Sequence, residues 1–585
     1  MQPDSTLPIL RELPRPRSEI RRRLPRARAK VRQRRAADLI VETLVAAGVD
    51  TVFALPGGTI SPVLDACYER SSIRLVTTRH ESGAMFAAAG LSRATEKLGV
   101  VCVTSGPGFL NAMTGLANAH CEGIPLLLLA GEVPRKLHGR RALQEGSAHH
   151  LDVLAMARPV AKLALEITSA DAASAIIRRA IQTAMSGRRG PVVVTVPLDI
   201  SLAKVVAPVI SAGVSIDLGG QSPEVQAAID HAAGCLASAK SPVVLVGSGV
   251  RQGQGPEALL HFAEELQAPV MTTPKAKGVF PESHPLSVGV FGHGGHPSAS
   301  ECLGDGVDVL LAVGTSFSDP GTDGWSPLLE PSRELIHVDV DALQIGRNYR
   351  VTQGIVGDAA WVLSGLAARL PAARRPRRYG LRRLEDPASE AKGRSGLITP
   401  QRALWELQQV LPADTFYTCD IGEHLMFATH FLTIDPPGGF MAMNGLASMG
   451  SGLCSSLGVQ LADMKRTVVS ICGDGVFAMN GNEVATAAAE RLPIIFAVLN
   501  DGRFGMVERG HSALYGRTPS FSTHPTEISR VAEAFGADSL VIRRPGDILM
   551  THLGSRSGPL VLDIHIDRSA EMPKTPRFDE LKRHT

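Results

Sequence analysis

The amino-acid sequence predicts an α/β protein made of three doubly wound, parallel-sheet domains. Two observations carry this prediction. Short runs rich in valine, isoleucine and leucine end at Gly or Pro and alternate with helix-like segments, which is typical of buried parallel strands with helices on both faces of the sheet. The alternation also restarts twice along 585 residues, a length that suits about three domains of ~100–200 residues each.

The first set of strands lies in residues 36–205, the second in 215–370 and the third in 397–585. Two polar stretches separate them, a Gly- and Ser-containing linker near 209–224 and a Pro-, Arg- and Gly-rich linker at 371–396. The last strands of the first and third sets are alike, GPVVVTVPLDI and GPLVLDIHIDR. This likeness suggests an internal duplication with a different domain between the copies.

Composition excludes several classes of protein. The chain is 44% apolar and 20% charged, as expected of a folded globular protein. Its eight cysteines form no CxxC or Cys/His zinc spacing, which indicates reduced thiols in a cytoplasmic protein. No apolar run approaches the ~18 residues of a membrane span, and the first residues lack the apolar core of a secretory signal.

Residues 1–35 form a basic segment, with eleven Arg and one Lys against three acidic residues. Its prolines and scarcity of apolar residues predict a disordered tail. An acidic partner, a nucleic-acid contact and an organelle-type leader are its functional alternatives. The absence of aromatic residues that could stack on bases disfavours nucleic acid.

A pair of acidic residues marks the third domain as a ligand site. Asp474 follows the apolar run VVSIC within the sequence GDG, and Asp501 ends the next run, FAVLND. The carboxyl ends of neighbouring parallel strands meet at one edge of a sheet, where ligands of open α/β folds bind. Glycines and exposed amides there attract anions, and two carboxylates facing an anion need a cation between them. An oxygen-rich site of this kind predicts Mg²⁺ beside a phosphate group.

The spacing GDG…LND resembles the cofactor motif of the thiamine diphosphate-dependent enzymes, a family that includes acetolactate synthase, pyruvate decarboxylase, pyruvate oxidase and benzaldehyde lyase. Further motifs occur in the family's order over nearly the whole chain beyond residue 35: VFALPGGTISPVLDA, TRHESGAMFAAAG, VTSGPGFLNAMTGLANA, KGVFPESHPLSVG, LIHVDVDALQIG and GLASMGSGL. The large catalytic subunit of acetolactate synthase is the member that the chain resembles most. The resemblance implies a pyrimidine-binding, a central and a diphosphate-binding domain, in agreement with the three sets of strands.

Glu81 lies in RHESGAMFAAAG, after a strand-like run and ahead of a small, apolar, helix-favouring stretch. By itself it could be a helix-initiating acid that the helix dipole stabilises. The resemblance implies instead that Glu81 hydrogen-bonds N1′ of the cofactor's aminopyrimidine ring and shares a proton with it. An apolar setting disfavours the carboxylate and makes that sharing possible.

The resemblance assigns the remaining site residues by motif. Asp474 and Asp501 would bind Mg²⁺ together with the main-chain carbonyl of Arg503, and Asp501 stands where the family often has Asn. Gln144, in a QE pair at the mouth of the site, joins Glu81 as a catalytic residue. The cofactor itself would contact Pro56, Gly57, Glu81, Gly422, His424, Met449, Gly473, Gly475 and Met506.

Other positions depart from acetolactate synthase on the acceptor side. Pro320 stands where that enzyme has an Arg that grips the acceptor carboxylate, and Gly510 stands where it has a Trp that sizes the pocket. Proline cannot clamp a carboxylate and glycine cannot wall a pocket, so a larger or less anionic acceptor is expected. Four side chains are candidates to replace the missing cation: His293, His296, Arg509 and His511.

Two further features concern the rim of the site. Glu423 stands where acetolactate synthases commonly have Gln, and a carboxylate beside diphosphate is unfavourable unless it points away. His149 and His150 follow the QE pair. We interpret them as surface histidines rather than as a proton-transferring pair.

These observations predict a carboligase that uses thiamine diphosphate and Mg²⁺. It would decarboxylate a 2-oxo acid, with pyruvate as the expected donor, and transfer the acyl unit to a small-molecule acceptor carbonyl. A 2-oxo acid decarboxylase and a benzaldehyde lyase-like acyloin lyase are alternatives in the same class, and a non-catalytic regulatory relative is less favoured.

The resemblance also bears on further cofactors and partners. FAD occurs in acetolactate synthase and pyruvate oxidase, but GVFGHGGHPS matches the flavin-contacting residues poorly, so we expect its absence over its presence. In the family, the pyrimidine-binding domain faces the diphosphate-binding domain of a neighbouring subunit, which implies a homodimer or homotetramer. We expect no membrane and no nucleic-acid partner.

Overall fold

The computed structural model describes residues 34–205, 222–371, 378–388, 395–435, 437–519, 521–523, 526–554 and 556–573. Residues 1–33 of the predicted tail and parts of both predicted linkers lie outside these ranges. Within them the chain forms three six-stranded parallel sheets with helices between the strands. This architecture confirms the predicted fold class.

The first domain is an α/β unit of eight strands and seven helices. The strands are β1 (Arg34–Arg35), β2 (Thr51–Ala54), β3 (Arg74–Thr77), β4 (Gly99–Val103), β5 (Leu126–Glu132), β6 (Leu163–Glu166), β7 (Val192–Pro197) and β8 (Lys204–Val205). The helices are α1 (Ala36–Ala46), α2 (Ser61–Tyr68), α3 (Glu81–Thr95), α4 (Pro107–Glu122), α5 (Val153–Ala157), α6 (Ala173–Met185) and α7 (Leu198–Leu202). Six strands form the parallel sheet, in the order β3-β2-β4-β5-β7-β6.

Arg34 and Arg35 belong to this domain rather than to the predicted tail. They form β1, which pairs antiparallel with β8. The Arg35 guanidinium also lies 3.0 Å from the carboxylate of Asp38 and 2.6 Å from that of Asp65. Strand pairing and two ion pairs therefore extend the folded chain to Arg34.

The central domain contains the second sheet. Its strands are β9 (Pro242–Val246), β10 (Val270–Thr272), β11 (Ser287–Val290), β12 (Val309–Val313), β13 (Glu334–Asp339) and β14 (Gln353–Val356). Its helices are α8 (Pro223–Ser238), α9 (Gly255–Leu266), α10 (Pro297–Gly304), α11 (Asp319–Thr322) and α12 (Ala359–Ala367). The strand order is β11-β10-β9-β12-β13-β14.

The third domain contains the last sheet. Its strands are β15 (Phe416–Cys419), β16 (Phe440–Ala442), β17 (Val468–Gly473), β18 (Ile495–Asn500), β19 (Asp538–Ile542) and β20 (Leu560–His565). Its helices are α13 (Pro400–Val410), α14 (Glu423–Phe431), α15 (Ser451–Ala462), α16 (Asp474–Asn480), α17 (Glu483–Ala489), α18 (Gly505–Tyr515) and α19 (Ile528–Ala534). The strand order is β16-β15-β17-β18-β20-β19.

The first and third sheets share one strand order, whereas the central sheet has another. Counted along each main sheet, both outer domains place their strands as second, first, third, fourth, sixth and fifth. The central domain places its strands as third, second, first, fourth, fifth and sixth, the order of dinucleotide-binding folds. The shared order supports the duplication that the sequence suggested.

The first and third domains join through helices α3 and α15, which touch backbone to backbone. A Cβ atom at Gly90 of α3 would lie 2.0 Å from the carbonyl oxygen of Ser455. A Cβ atom at Gly458 of α15 would lie 1.9 Å from the carbonyl oxygen of Ala87. One continuous apolar core therefore runs from the first domain into the third.

The central domain is anchored to the third by a buried ion pair. The ammonium of Lys277 lies 2.6 Å from the Glu282 carboxylate and donates to the carbonyl of Leu432 at 2.8 Å. Glu282 in turn accepts the amide of Ile434 at 2.9 Å. Because both charges are paired and hydrogen-bonded, the pair satisfies the polar groups where these domains meet. Among the helices of the described residues, none combines the length and apolarity needed to cross a membrane.

We predict that Gly90→Ala destabilises the protein by about 1–3 kcal/mol or more, because the added methyl group forces two backbones apart. Urea unfolding measures this change. Gly234 in α8 is the matched control, since a Cβ atom there meets nothing within 4 Å. Gly234→Ala should be neutral or stabilising by up to about 1 kcal/mol. Equal losses in both variants would contradict the close approach of α3 and α15.

Candidate active site

The two acidic residues of the third domain meet at the carboxyl edge of its sheet. Asp474 begins α16 directly after β17, and Asp501 directly follows β18. These strands are parallel neighbours, with Gly473 opposite Leu499. Burial, followed by the charge of Asp501, raises the pKa of Asp474 to about 6. Burial also raises the pKa of Asp501. Two carboxylates that repel each other out of water favour a cation between them.

Arg503 balances the charge of Asp501. Its Nε donates to Oδ2 of Asp501 at 2.7 Å, and its Nη1 donates to Glu508 at 3.0 Å. The Asp that replaces the family's Asn therefore carries its own counter-charge. No group of three or more His, Cys, Asp or Glu side chains within the described ranges could hold a metal. The site offers two carboxylates, and the carbonyl of Arg503 as third ligand stays a prediction.

The loop before α14 supplies a buried histidine. Gly422 has a φ of 156°, and a Cβ atom there would lie 2.5 Å from the ring of His424. Burial lowers the pKa of His424 to about 4, so its imidazole is neutral. Its Nε2 is buried and has no hydrogen-bond partner among the described residues. In the neutral tautomer that carries its proton on Nε2, this nitrogen could donate a hydrogen bond to a phosphate oxygen.

All nine residues of the third domain that were predicted to bind the cofactor or the metal line one cavity of about 230 Å³. They are Gly422, His424, Met449, Gly473, Asp474, Gly475, Asp501, Arg503 and Met506. A carboxylate pair, glycine turns and a buried imidazole suit a magnesium diphosphate, because each would complete contacts that the protein leaves open. The residues present therefore fit the implied cofactor and metal.

Two residues of this region were missed by the sequence analysis. Asp420 is fully buried and accepts the amides of Gly450 at 2.9 Å and Leu453 at 2.8 Å. It thereby fixes the turn that carries Met449. Phe504 lines the cavity, and its ring lies 2.7 Å from where a Cβ atom of Gly475 would be. Asp420 is the first residue of the loop DIGEH, which resembles the family's diphosphate-binding loop, and an acid after an apolar run was the available signal for its structural role.

The first-domain residues gather at the carboxyl edge of their own sheet. Glu81 is the first residue of α3 and is only 5% exposed. Asn111 of α4 donates to its Oε2 at 3.0 Å. Pro56 and Gly57 follow β2, and a Cβ atom at Gly57 would lie 2.5 Å from the hydroxyl of Thr104. None of the described residues that line the third-domain cavity comes from this domain.

The QE pair divides into an exposed and a buried residue. Gln144 is exposed, with a φ of 63°, and its Cα lies 3.1 Å from where a Cβ atom of Gly106 would be. Glu145 is buried, and bonds from the Ser147 hydroxyl and the Gly139 amide, both 2.6 Å long, lower its pKa to about 2. The Glu145 side chain therefore holds the loop of residues 139–147 together, whereas the Gln144 side chain remains accessible to solvent. The next histidines, at 149 and 150, are exposed, in agreement with their interpretation as surface residues.

Glu423 points to an arginine pair. Nε of Arg509 donates to Oε1 of Glu423, and Nη2 of Arg509 donates to the carbonyl of Ala570 at 2.8 Å. Nη2 of Arg503 lies 4.0 Å from Oε2 of Glu423. The added carboxylate is therefore neutralised, and Arg509 is engaged rather than available to an anionic acceptor.

Two of the three candidate histidines on the acceptor side are engaged elsewhere. His296 is buried, with Nδ1 accepting the Val290 amide and Nε2 lying 2.9 Å from the His430 carbonyl. Nδ1 of His511 lies 3.0 Å from the carbonyl of Arg517. His293 is the third, and its Nε2 lies 3.7 Å from the Asp319 carboxylate. His293 thus stands beside an acid that adjoins Pro320 in the chain.

A second cavity, of about 260 Å³, lies where the first and central domains meet. Gly247, Gly314 and Asp339, at the carboxyl ends of β9, β12 and β13, line it. Glu122 of α4 pairs there with Lys275 at 3.0 Å. The volume lies just below the range of pockets for drug-sized ligands, ~300–1,000 Å³.

Comparison with known proteins gives three matching family models. The N-terminal TPP binding domain of thiamine pyrophosphate enzymes matches residues 34–156, the central domain matches 229–366, and the C-terminal TPP binding domain matches 420–564. The chain belongs to the thiamine pyrophosphate enzyme family. It is therefore a thiamine diphosphate-dependent enzyme, as predicted.

Curated relatives place the enzyme near acetolactate synthase. A probable acetolactate synthase large subunit of Methanocaldococcus jannaschii is 34% identical, with 93% of each chain covered. Acetolactate synthase isozyme 3 large subunit of Escherichia coli is 33% identical over 88% of this chain and 90% of its own. A solved structure, the 4-hydroxybenzoylformate decarboxylase of Rhodococcus jostii RHA1, superposes with a TM-score of 0.80 at 25% identity, covering 91% of this chain and 99% of that chain.

We predict that Asp474→Ala weakens Mg²⁺-dependent binding of thiamine diphosphate by roughly 100-fold or more, since loss of even an outer-shell partner costs ~10–100-fold. Asp501→Asn, which supplies the residue common in the family, should retain binding within about tenfold, because the amide oxygen can still bind the metal. Isothermal titration calorimetry with saturating Mg²⁺ measures both. Unchanged binding by Asp474→Ala would remove it from the metal site.

Proposed function

We propose that this enzyme is a Mg²⁺-dependent carboligase that decarboxylates a 2-oxo acid, with pyruvate as donor, and transfers the acyl unit to an acceptor carbonyl. The observation that supports the proposal best is the third-domain cavity. It joins the raised-pKa acid pair to the buried imidazole of His424, whose Nε2 has no hydrogen-bond partner among the described residues. The named acetolactate synthases among the relatives give the reaction class.

Each residue has a distinct part in this proposal. Asp474, Asp501 and the Arg503 carbonyl would hold Mg²⁺, and His424 with the Gly422 turn would hold the diphosphate. Thiamine diphosphate supplies a nucleophilic ring carbon and an electron sink for the decarboxylation. The chain's own residues supply the environment in which that chemistry runs.

Glu81 would hold a proton at N1′ of the aminopyrimidine. Its side chain is buried, and the Asn111 amide fixes one of its oxygens, so the other can face the ring. Gly108 leaves that side open, because a Cβ atom there would lie 3.3 Å from Oε1 of Glu81. Gln144 would contact substrate at the mouth.

The proposed site needs two copies of the chain. Glu81 is not among the residues that line the third-domain cavity, so we propose that a second copy supplies it. Exposed apolar side chains lie close in sequence to Glu81's partner Asn111, to Gln144 and to the residues of the third-domain cavity. Leu143 is one of them and is 87% exposed. The others are Leu110, Met479 and Val507. Such patches are typical of covered interfaces, which supports a homodimer or homotetramer.

A 2-oxo acid decarboxylase is the second candidate function. Arg509, a candidate cation for the acceptor carboxylate, is already engaged by Glu423, and the Rhodococcus jostii structure is a decarboxylase. A benzaldehyde lyase-like acyloin lyase would need the same residues. A purely regulatory role is less favoured, because Glu81, Asp474 and Asp501 are all present.

Three expectations stay predictions. The absence of FAD is one. The absence of a nucleic-acid partner is another, since residues 1–33 lie outside the described ranges. A cytoplasmic location is the third.

We predict that Glu81→Gln slows exchange of the cofactor's thiazolium C2 proton by about 10²–10⁴-fold, since the amide cannot carry the proton at N1′. Quenched-flow exchange in deuterium oxide followed by NMR measures the rate. Thiamine diphosphate binding, which rests on the third domain, should be retained. Exchange at the wild-type rate would remove Glu81 from its role.

Product analysis separates the candidate functions. The protein, thiamine diphosphate, Mg²⁺ and pyruvate are incubated alone and with a panel of aldehydes and 2-oxo acids. We expect 2-hydroxy ketones, with neutral aldehydes accepted at least as well as 2-oxo acids because Arg509 is already paired. Free acetaldehyde as the sole product would establish the decarboxylase instead.

A further inference from the structure

Helix α17 of the third domain reaches the residues directly before Glu81 in the same chain. Glu483, the first residue of α17, is fully buried. Its Oε1 accepts the main-chain amides of Arg79 at 3.0 Å and His80 at 2.9 Å. The Thr486 hydroxyl donates to its Oε2 at 2.6 Å. One buried carboxylate therefore satisfies two amides at the entrance to α3.

The start of α3 has little freedom around this contact. The His80 side chain caps the helix, with Nδ1 accepting the Ser82 amide at 3.1 Å. A Cβ atom at Gly83 would lie 2.2 Å from Oε1 of Glu483, so only glycine lets the carboxylate approach. Glu81 lies between His80 and Ser82 in the chain, so the positions of its neighbours determine the position of its backbone.

Structural requirements alone explain part of this arrangement. Buried amides need partners, and a carboxylate at a helix start is favourable. However, the C-cap residue of α17 already holds the first domain elsewhere: the Glu490 carboxylate lies 2.7 Å from the Arg74 guanidinium. A buried carboxylate is costly, and burial raises the pKa of Glu483. The Glu483 carboxylate contacts the residues directly before Glu81, whereas Glu490 does not. We therefore interpret the costly burial of Glu483 as serving the position of Glu81.

We propose that Glu483 is a positioning residue. By holding the main-chain amides of Arg79 and His80, it fixes the position of Glu81 relative to the aminopyrimidine ring. This inference rests on the proposed role of Glu81. Glu483 follows Asp474, the proposed metal ligand, by nine positions along α16 and α17. Glu483 therefore also connects the segment that begins at Asp474 to Glu81 of the same chain. Displacement of a reacting group by ~1 Å can cost about 100-fold in rate.

The test compares Glu483→Ala, Glu483→Gln and Glu490→Ala with the wild-type protein. Three quantities are measured: the Kd of thiamine diphosphate with saturating Mg²⁺, the rate of C2 proton exchange, and amide hydrogen exchange of ligand-free protein in the peptide that contains residues 79 and 80. Glu490→Ala is the matched control, since it removes a contact between the same helix and the same domain.

We expect Glu483→Ala to slow C2 exchange about 100-fold, with the Kd changed by no more than about threefold, since the diphosphate contacts lie elsewhere. The amides of residues 79 and 80 should lose protection. Glu483→Gln, which keeps one acceptor oxygen, should recover most of the rate. Glu490→Ala should match the wild type in all three measurements.

Wild-type C2 exchange in Glu483→Ala, with Glu81→Gln slow in the same assay, would overturn the positioning role and leave the proposed function intact. Fast exchange in Glu81→Gln would overturn the proposed role of Glu81, on which this inference rests. If Glu483→Ala does not fold, Gly83→Ala displaces the carboxylate tip without removing it and should reproduce the slow exchange. A wild-type rate in a folded Gly83→Ala protein would likewise overturn the proposal.

Discussion

The backbone contact between α3 and α15 is the constraint on which the rest of the structure depends. Gly90 and Gly458 let the two helices approach until the carbonyls of Ser455 and Ala87 occupy the space of a side chain. This contact merges the cores of the first and third domains. It also places α3 against the third domain, and therefore contributes to where Glu81, the first residue of α3, stands relative to the acid pair of the third domain.

That constraint separates the two halves of the proposed site within one chain. Glu81 lies at the edge of the first sheet, whereas the residues for the diphosphate and the metal line a cavity of the third domain alone. We propose that a cofactor with a ring at one end and a diphosphate at the other bridges two copies of the chain, one supplying Glu81 and the other the third-domain cavity. Exposed apolar side chains around both halves agree with this arrangement.

Much of the fold could be predicted from the sequence because strands buried on both faces are continuous apolar runs. The third-domain cavity was equally accessible, since Asp474 and Asp501 end neighbouring parallel strands and converge. Local patterns carry no information on side chains that meet over long separations. The amides of Arg79 and His80 bind a carboxylate more than 400 residues away. A signal was nevertheless present, because Glu483, like Glu81, is an acid ahead of small, apolar residues.

The central claim is that each cofactor is held by two copies of the chain. Co-expression of Glu81→Gln and Asp474→Ala subunits with different affinity tags tests it most directly. In a mixed dimer one site carries both changes and the other carries neither. Random pairing should restore about one quarter of wild-type turnover from two inactive parents. Purified mixed dimers that remain as inactive as either parent would contradict the account.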